Sequence, residues 1–298
     1  MGGENRFMGL AYLSPYIIGL LLFTAVPFVA SFVLSFTDYS LMSAPHFVGL
    51  KNYIKLFTGD RTFNKSLSVT LIYVFSTVPL KLAFALFIAV ILNYKLKFIN
   101  FFRTAFYVPS ILGGSIAIAV LWRYLFQSGG GHEGLVNMAL MAAGFEPVNW
   151  FGDPTNALFT ITLLRLWQFG SAMVIFLAAL QSVDNSLYEA AAIDGAGKWR
   201  TFFFITLPLI TPVIFFNLIM QTVQAFQEFN GPYIITKGGP LKATYLLPLY
   251  IYDEAFKHFK MGYASAIAWV MFAIIMVLTL IAFWSSRHWV YYAGDKRS

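Results

Sequence analysis

Residues Glu189–Pro208, which read EAAAIDGAGKWRTFFFITLP, form a polar interval between two long apolar runs of the chain. Glu189, Ala190 and Ala191 open the interval, and Gly195 follows them after a short gap. The apolar residues Ile205 and Leu207 and then Pro208 close it. The flanking runs are long enough to cross a bilayer, which takes about 20 apolar residues. The interval therefore predicts a structured loop between two membrane helices.

The first part of this interval predicts a short helix outside the membrane. Ser186, which stands three residues before the interval, and Glu189 have the spacing of a capping box. In that motif each side chain bonds the backbone N–H of the other residue. The alanines that follow favour helix, and Gly195 is placed to adopt the left-handed conformation that ends one. An ordinary connector with good capping is the alternative. We expect a helix of about two turns whose surface includes Leu187, Ala190, Ala191 and Asp194.

The rest of the chain has the composition of a membrane protein. Of 298 residues, 59% are hydrophobic and 11% are charged, whereas soluble domains carry roughly 25% charged residues. We predict an all-α polytopic protein with a single transmembrane domain over residues 1–298 and a loop at 184–200 between helices four and five. Six apolar runs are long enough to span a bilayer, approximately residues 10–36, 66–92, 104–122, 155–183, 201–227 and 261–286.

The distribution of basic residues predicts which side of the membrane each loop occupies. Lys and Arg are denser in the segments that would share a side with the termini, notably Lys95, Lys97 and Arg103 in the turn between spans two and three. By the positive-inside rule both termini are cytoplasmic. The net charge of +7 then fits anchoring to anionic lipid, with no need for nucleic acid. On the opposite side, the aromatic segment Tyr245–Tyr252 predicts a short amphipathic helix along the outer face.

The sequence offers no nucleotide or metal site of its own. Gly195-Ala196-Gly197-Lys198 resembles part of a phosphate-binding loop, but that motif needs Gly at position 192 and Ser or Thr at position 199, where Ala192 and Trp199 stand. There are no cysteines for a thiolate metal site. We therefore predict no cofactor in this chain. If ATP hydrolysis drives its activity, the ATPase must be a separate polypeptide.

The interval from Glu189 to Pro208 resembles the EAA loop of permease subunits in bacterial ABC importers of carbohydrates, the group that includes the maltose and glycerol-phosphate systems. The resemblance extends over most of the chain, since further segments look like family segments: Trp122–Phe126, Trp150–Pro154, Leu180–Val183, Thr236–Pro240, Tyr250–Tyr252 and Phe259–Ala264. The maltose-system subunit of this type has extra N-terminal spans and a large outer insertion, which this chain lacks. Details of binding-protein docking therefore do not carry over.

The resemblance implies an assembly in the bacterial cytoplasmic membrane. Its other parts are a second, similar permease forming a heterodimer, two cytoplasmic ATPase subunits that bind ATP and Mg²⁺, and an extracytoplasmic solute-binding protein. It also implies that the helix bearing Glu189, Ala190, Ala191, Asp194 and Gly195 couples the permease to the ATPase.

Polar side chains on two predicted spans are candidates for a substrate pathway. In span five, Asn217, Gln221, Gln224 and Glu228 fall on one stripe of an otherwise apolar helix. In span four, Gln168 and Ser171 form a shorter stripe with Arg165. Amides suit sugar hydroxyls, but hydrogen bonding between helices uses the same residue types and stays open as the alternative. For Arg165 a structural pair or a position at the outer rim is an equal possibility, and Lys81 is expected to pair within the bundle or snorkel.

Other classes of membrane protein fit the sequence less well. An ion-coupled transporter would need acidic or His side chains within the membrane, and all of them lie outside the span interiors. A membrane enzyme would need a cluster of acid, base or metal-binding residues. A channel would leave the patterned loop unexplained. We therefore predict a non-catalytic subunit of an ATP-driven importer that works by alternating access. The substrate is a sugar or oligosaccharide, with acidic ones such as those from alginate among the candidates because Arg165 and the outer loops are basic.

Overall fold

The computed structural model describes residues 6–94, 97–129, 131 and 133–292, with side chains from residue 12 onward. Lys95 and the terminal residues 1–5 and 293–298 lie outside the described residues. The described part is predominantly helical and forms no β-strand beyond two isolated bridges, Thr37–Phe47 and Ser40–Ser43. The predicted all-α class is confirmed.

The described part contains fourteen α-helices. In chain order they are α1 (Arg6–Leu20), α2 (Val26–Ser35), α3 (Lys51–Thr58), α4 (Arg61–Asn93), α5 (Ile99–Leu112), α6 (Ile116–Leu125), α7 (Leu135–Ala142), α8 (Pro154–Trp167), α9 (Gly170–Gln181), α10 (Asn185–Ile193), α11 (Lys198–Thr201), α12 (Leu207–Phe226), α13 (Leu247–Tyr252) and α14 (Met261–Trp289). Wider π-helical turns lie at Leu21–Ala25, Phe202–Thr206, Pro232–Thr236 and Asp253–Lys257.

Four helical segments of the described chain are long and apolar enough to cross a membrane without interruption. They are Tyr12–Ser35, Arg61–Asn93, Lys198–Phe226 and Met261–Trp289, which match predicted spans one, two, five and six. Spans three and four are each broken into two helices. The α5–α6 pair bends by 102° and the α8–α9 pair by 43°, so the count reaches six when each pair is taken as one span.

The chain divides into two compact units, of which the first comprises Met1–Asn64 and Tyr250–Ala273. Within this unit, Trp269 packs against Phe28 and Phe32 with ring centroids 4.7 and 4.6 Å away. These aromatic contacts hold the first membrane segment against the beginning of α14.

A half-buried carboxylate ties the same unit together. Asp60 accepts hydrogen bonds from the hydroxyls of Tyr250 and Tyr263 and, at 2.9 Å, from the backbone N–H of Phe63. Burial raises the pKa of Asp60, but the hydrogen bonds from Tyr250, Tyr263 and the backbone outweigh it, so the pKa lies below its usual value. Asp60 is therefore ionised at neutral pH.

The second unit comprises Lys65–Leu249 and Ile274–Ser298 and contains the broken spans. In it α9 packs against both α5 and α12. Gly170 allows the close approach of α5, because a Cβ at this position would lie 2.3 Å from the carbonyl oxygen of Phe106. The prediction of a single transmembrane domain over the whole chain stays a prediction.

The short helix predicted at Tyr245–Tyr252 is confirmed, but its expected amphipathic, surface character is wrong. The helix α13 forms there, but Leu247 and Leu249 are almost completely buried. The backbone N–H of Leu247 donates to Oγ1 of the buried Thr70 at 2.9 Å. The helix sequence LPLYIY has no charged side chain to turn toward water, which explains its burial.

Candidate functional site

The helix of the polar loop begins two residues earlier than the capping box predicts. Asp184 is the N-cap of α10, and its Oδ1 accepts from the backbone N–H of Ser186 at 2.9 Å. This hydrogen bond to the backbone of Ser186 lowers the pKa of Asp184. The prediction of a Ser186–Glu189 capping box is therefore wrong: Asp184 takes the capping role, because Asp is at least as good an N-cap as Ser.

The end of α10 forms as predicted at Gly195. Gly195 has φ +72° and follows the C-cap residue Asp194. Its N–H bonds the carbonyl of Ala192 at 3.1 Å, and the N–H of Ala196 bonds the carbonyl of Ala191 at 2.9 Å. These two bonds are a Schellman motif, which satisfies the last carbonyls of the helix.

One face of α10 is open to the surroundings. The exposed residues on this face are Glu189, Ala190, Asp194 and Gly195. Ala191 is buried, so its predicted place on the exposed surface of the helix is wrong. On the inner face, the hydroxyl of Tyr188 is 3.1 Å from Oγ1 of Thr206 in the turn before α12. Between this helix and the ends of the neighbouring helices lies a cavity of about 340 Å³.

Two large apolar side chains beside the predicted loop residues are also exposed. Ile193 is 87% exposed and Trp199 is 78% exposed. Sequence reasoning did not single them out, although large apolar residues in an otherwise polar loop were the available signal.

The second group of predicted site residues meets at Arg165, in the last turn of α8. Nη1 of Arg165 donates to Oε1 of Gln168 at 3.2 Å, and Nη2 donates to Oε1 of Gln224 at 3.0 Å. The carboxylate of Glu228 lies 3.7 Å from Nη1. Arg165 therefore joins the stripe of span four to the C-terminal end of the stripe of span five. We call Arg165, Gln168, Gln224 and Glu228 the arginine cluster.

Gln168 also links the two broken spans. It ends α8 at the 43° bend, and its Nε2 donates to the carbonyl oxygen of Gly113 at 3.0 Å. Gly113 in turn lies at the 102° bend between α5 and α6. The hydroxyl of Ser110 accepts from the N–H of Ser171 at 2.9 Å and donates to the carbonyl of Gln168 at 3.1 Å. Side chains thus satisfy backbone groups that the helix breaks leave free.

The N-terminal half of the span-five stripe is buried among helices. Asn217 is 1% and Gln221 is 4% exposed. Oε1 of Gln221 accepts from Nζ of Lys81 at 2.8 Å, and Nδ2 of Asn217 donates to the carbonyl of Val213 at 3.3 Å. The predicted stripe therefore divides, with Gln224 and Glu228 in the arginine cluster and Asn217 and Gln221 inside the bundle.

Tyr73 adds a buried polar group that sequence reasoning missed. Its side chain is fully buried, and its hydroxyl has no hydrogen-bond partner among the described residues. Arg165 and Glu228 are near enough to act on it electrostatically. A single tyrosine within an apolar span gave no signal, because tyrosine is common in membrane helices and at their interfaces.

Aromatic rings lie beside the arginine cluster. The rings of Trp122 and Trp167 are 5.8 Å apart between centroids, and Nε1 of Trp122 donates to the carbonyl of Thr160 at 3.1 Å. Both indoles pack on a small apolar group around Leu164 and Ile235. Flat apolar surfaces next to amides and charges can bind both the rings and the hydroxyls of a polar organic solute.

Comparisons with known proteins agree with this arrangement. Residues 56–290 match the family described as "Binding-protein-dependent transport system inner membrane component". The chain is 51% identical over 296 residues to the "Probable ABC transporter permease protein YesP" of Bacillus subtilis (strain 168), covering 98% of this chain and 94% of that protein. It is 34% identical over 287 residues to the "Lactose transport system permease protein LacF" of Rhizobium radiobacter, covering 94% of each.

A solved structure shares the fold. A chain of a bacterial alginate ABC transporter, crystallised in complex with an alginate pentasaccharide-bound periplasmic protein, has a TM-score of 0.83 with this chain. The sequence identity is 23%, and 95% of each chain is covered. The agreement shows that the two chains share their overall fold.

Proposed function

The chain belongs to the family of inner-membrane components of binding-protein-dependent transport systems, and we propose that it imports a sugar or oligosaccharide by alternating access. The observation that carries the substrate class is the likeness to the lactose permease, which extends over 94% of both chains. The chain is a membrane-spanning ABC transporter permease, and ATP hydrolysis is assigned to other subunits.

The proposed assembly has the parts that the family name implies and some that it does not. A binding protein outside the membrane delivers the sugar, a second permease completes the pathway as a heterodimer, and two cytoplasmic ATPase subunits bind ATP and Mg²⁺. Both termini of this chain and α10 are on the cytoplasmic side of a bacterial inner membrane. The polar loop and its density of basic residues support this orientation.

The exposed face of α10 is the proposed contact with an ATPase subunit. Glu189, Ala190, Asp194 and Gly195 present a small, knobby surface at the end of a well-capped helix, and Ala191 packs behind it. The Tyr188–Thr206 contact connects this helix to the segment that leads into α12. Movement of α10 on ATPase closure would therefore be transmitted to α12 and its polar stripe.

The proposed substrate pathway runs along the polar faces of α8, α9 and α12. It includes Gln168, Ser171, Asn217, Gln221, Gln224 and Glu228. Gln224 and Glu228 have accessible surface, so they are the first of this group to meet a sugar. Asn217 and Gln221 reach it only when the helices that bury them separate, as alternating access requires.

Reconstitution tests this function directly. The chain is purified by an affinity tag from a strain that expresses the neighbouring transport genes, and the complex is placed in liposomes with the purified binding protein. We expect ATP-dependent uptake of a saccharide, with ATPase activity that rises when the loaded binding protein is added and not when it is omitted. Purification of this chain without an ATPase, combined with ATP-independent flux, would instead favour a channel.

A further inference from the structure

Arg103, near the start of α5, has no acceptor for its side chain among the described residues. Its guanidinium makes no hydrogen bond or ion pair with them, and its Nε is buried from solvent. A buried donor without an acceptor costs free energy, and a charged one costs more. Arg103 therefore needs an acceptor that the described part of the chain does not supply.

Two adjoining cavities share this arginine. The first, of about 420 Å³, lies between α5 and α9, and we call it the α5–α9 groove. The second, of about 360 Å³, is bounded by the facing ends of α4, α5 and α9 and by α10. Arg103 and Gln181 line both cavities, so the two spaces meet at these side chains.

The α5–α9 groove has a polar end and an apolar end. Arg103 is in the second turn of α5 and Gln181 is the last residue of α9, so both mark the polar end. Leu177 and Val174 continue the lining of the groove along α9 toward the middle of the span. Val174 and Ala178 are exposed, so the apolar end opens at the side of the bundle. A molecule with a polar head and an apolar chain fits this arrangement.

The charge of the lining indicates which kind of head fits. The described residues that line the two cavities include no acid and no cation other than Arg103. Asp184 is next in sequence to the lining residue Asn185, but its carboxylate caps α10. A guanidinium forms paired hydrogen bonds with phosphate. The ammonium group of a zwitterionic phospholipid finds no carboxylate in the lining, whereas an anionic phospholipid needs none.

We propose that Arg103 binds the phosphate of an anionic phospholipid, with an acyl chain of that lipid along the α5–α9 groove. This inference rests on the orientation given with the proposed function, which places this end of the spans at the cytoplasmic leaflet. Basic pockets between membrane helices on that side bind anionic headgroups. The second cavity also reaches Asn185 and Tyr188, so the bound headgroup lies against α10.

The test uses the complete importer in vesicles of phosphatidylcholine that contain a trace of a photoreactive phosphatidylglycerol. Its reactive group is in the middle of one acyl chain, and mass spectrometry identifies the labelled peptides after illumination. We expect labelling of the α9 segment that contains Val174, Leu177 and Ala178. Unlabelled phosphatidylglycerol added to the vesicles should remove most of this labelling. The same amount of phosphatidylethanolamine, or inorganic phosphate in the buffer, should leave it unchanged.

Three variants locate the headgroup. Arg103→Gln should reduce labelling of α9 by about tenfold, because hydrogen bonds to a charged group are lost. Arg103→Lys keeps the charge without the paired geometry and should give an intermediate result. Lys97→Gln is the matched control: it removes one positive charge just before α5, but Lys97 is exposed and lines neither cavity. Its labelling should stay within about twofold of the unaltered importer.

The outcomes separate this inference from the function it rests on. It is overturned by equal competition from phosphatidylglycerol and phosphatidylethanolamine, by displacement with inorganic phosphate, or by undiminished labelling in Arg103→Gln. Absence of label from α9, as when a partner protein covers the groove, also overturns it. The competition measurements use the unaltered importer, so they decide the question even when Arg103→Gln does not assemble. The expected labelling in a complex that takes up no saccharide keeps the lipid site and overturns the proposed function.

Discussion

Gly113→Ala should damage the junction between the two broken spans by a clash with one side chain. A Cβ at position 113 would lie 2.2 Å from Cγ and 2.3 Å from Cδ of Gln168. The backbone of Gly113 has φ −64° and ψ −23°, which alanine adopts readily, so the effect comes from the clash. Gln168 must move, and its hydrogen bond to the carbonyl of Gly113 must break.

The size of the effect follows from these contacts. Overpacking a buried site by one methyl group costs about 1–3 kcal/mol. Loss of the hydrogen bond between Gln168 and Gly113 costs about 1 kcal/mol more. We therefore expect a loss of about 2–4 kcal/mol in stability. Displacement of Gln168 should also free one acceptor of Arg165 and lower uptake.

The neighbouring glycine provides the control. A Cβ at Gly114 would have no atom within 4 Å, so Gly114→Ala makes the same chemical change without the clash. Thermal unfolding of the purified complex and uptake in liposomes measure both variants. In the double variant Gly113→Ala with Gln168→Ala, stability should recover in part while uptake stays low. Equal behaviour of Gly113→Ala and Gly114→Ala would refute the reasoning.

Three further predictions concern α10 and the first unit. Gly195→Asp should abolish uptake and uncouple ATPase activity, because the new side chain projects from an exposed turn at φ +72°. The variant chain should still insert into the membrane. Normal uptake would contradict the assigned coupling surface. Asp184→Ala should speed hydrogen exchange of the Ser186 amide and weaken coupling to the ATPase, because the helix loses its N-cap. Asp184→Asn keeps the cap and serves as the control. Unchanged exchange in the alanine variant would show that Asp184 is not the N-cap. Because the pKa of Asp60 is lower in the folded chain, the stability that its carboxylate contributes is present above the unfolded pKa of about 4 and is lost as pH falls through the folded pKa. Asp60→Asn should therefore lower the unfolding temperature at pH 7 and make that temperature fall less in acid. An unchanged unfolding temperature would count against the contacts with Tyr250 and Tyr263.

The unbroken spans and the end of α10 could be predicted because local sequence determines them. A long apolar run has to be helical in lipid, where every backbone group needs an internal partner. Gly195 was predictable as the residue after the helix because few residues other than glycine adopt a left-handed conformation at low cost. The start of α10 was less certain because Asp184 and Ser186 are both good caps, and only the folded backbone shows which one is used.

The helix breaks were not predictable from the apolar pattern. Gly113-Gly114 is a turn signal, but it does not give the size of the bend, which depends with the bend at Gln168 on hydrogen bonds between residues far apart in the chain. The same limit applies to the polar stripe of α12. Periodicity placed Asn217, Gln221, Gln224 and Glu228 on one face, but it could not show that Lys81 of α4 meets Gln221.

The exposed Ile193 and Trp199 have a consequence for how cells make this protein. Under the proposed orientation these side chains face the cytosol until an ATPase subunit covers them. A permease chain synthesised in excess of its ATPase would keep these two large apolar side chains exposed to the cytosol. Proteases and chaperones act on proteins that expose apolar residues in this way. The abundance of this chain in the membrane should therefore follow the supply of its ATPase, so that balanced synthesis of the subunits becomes a requirement for its survival.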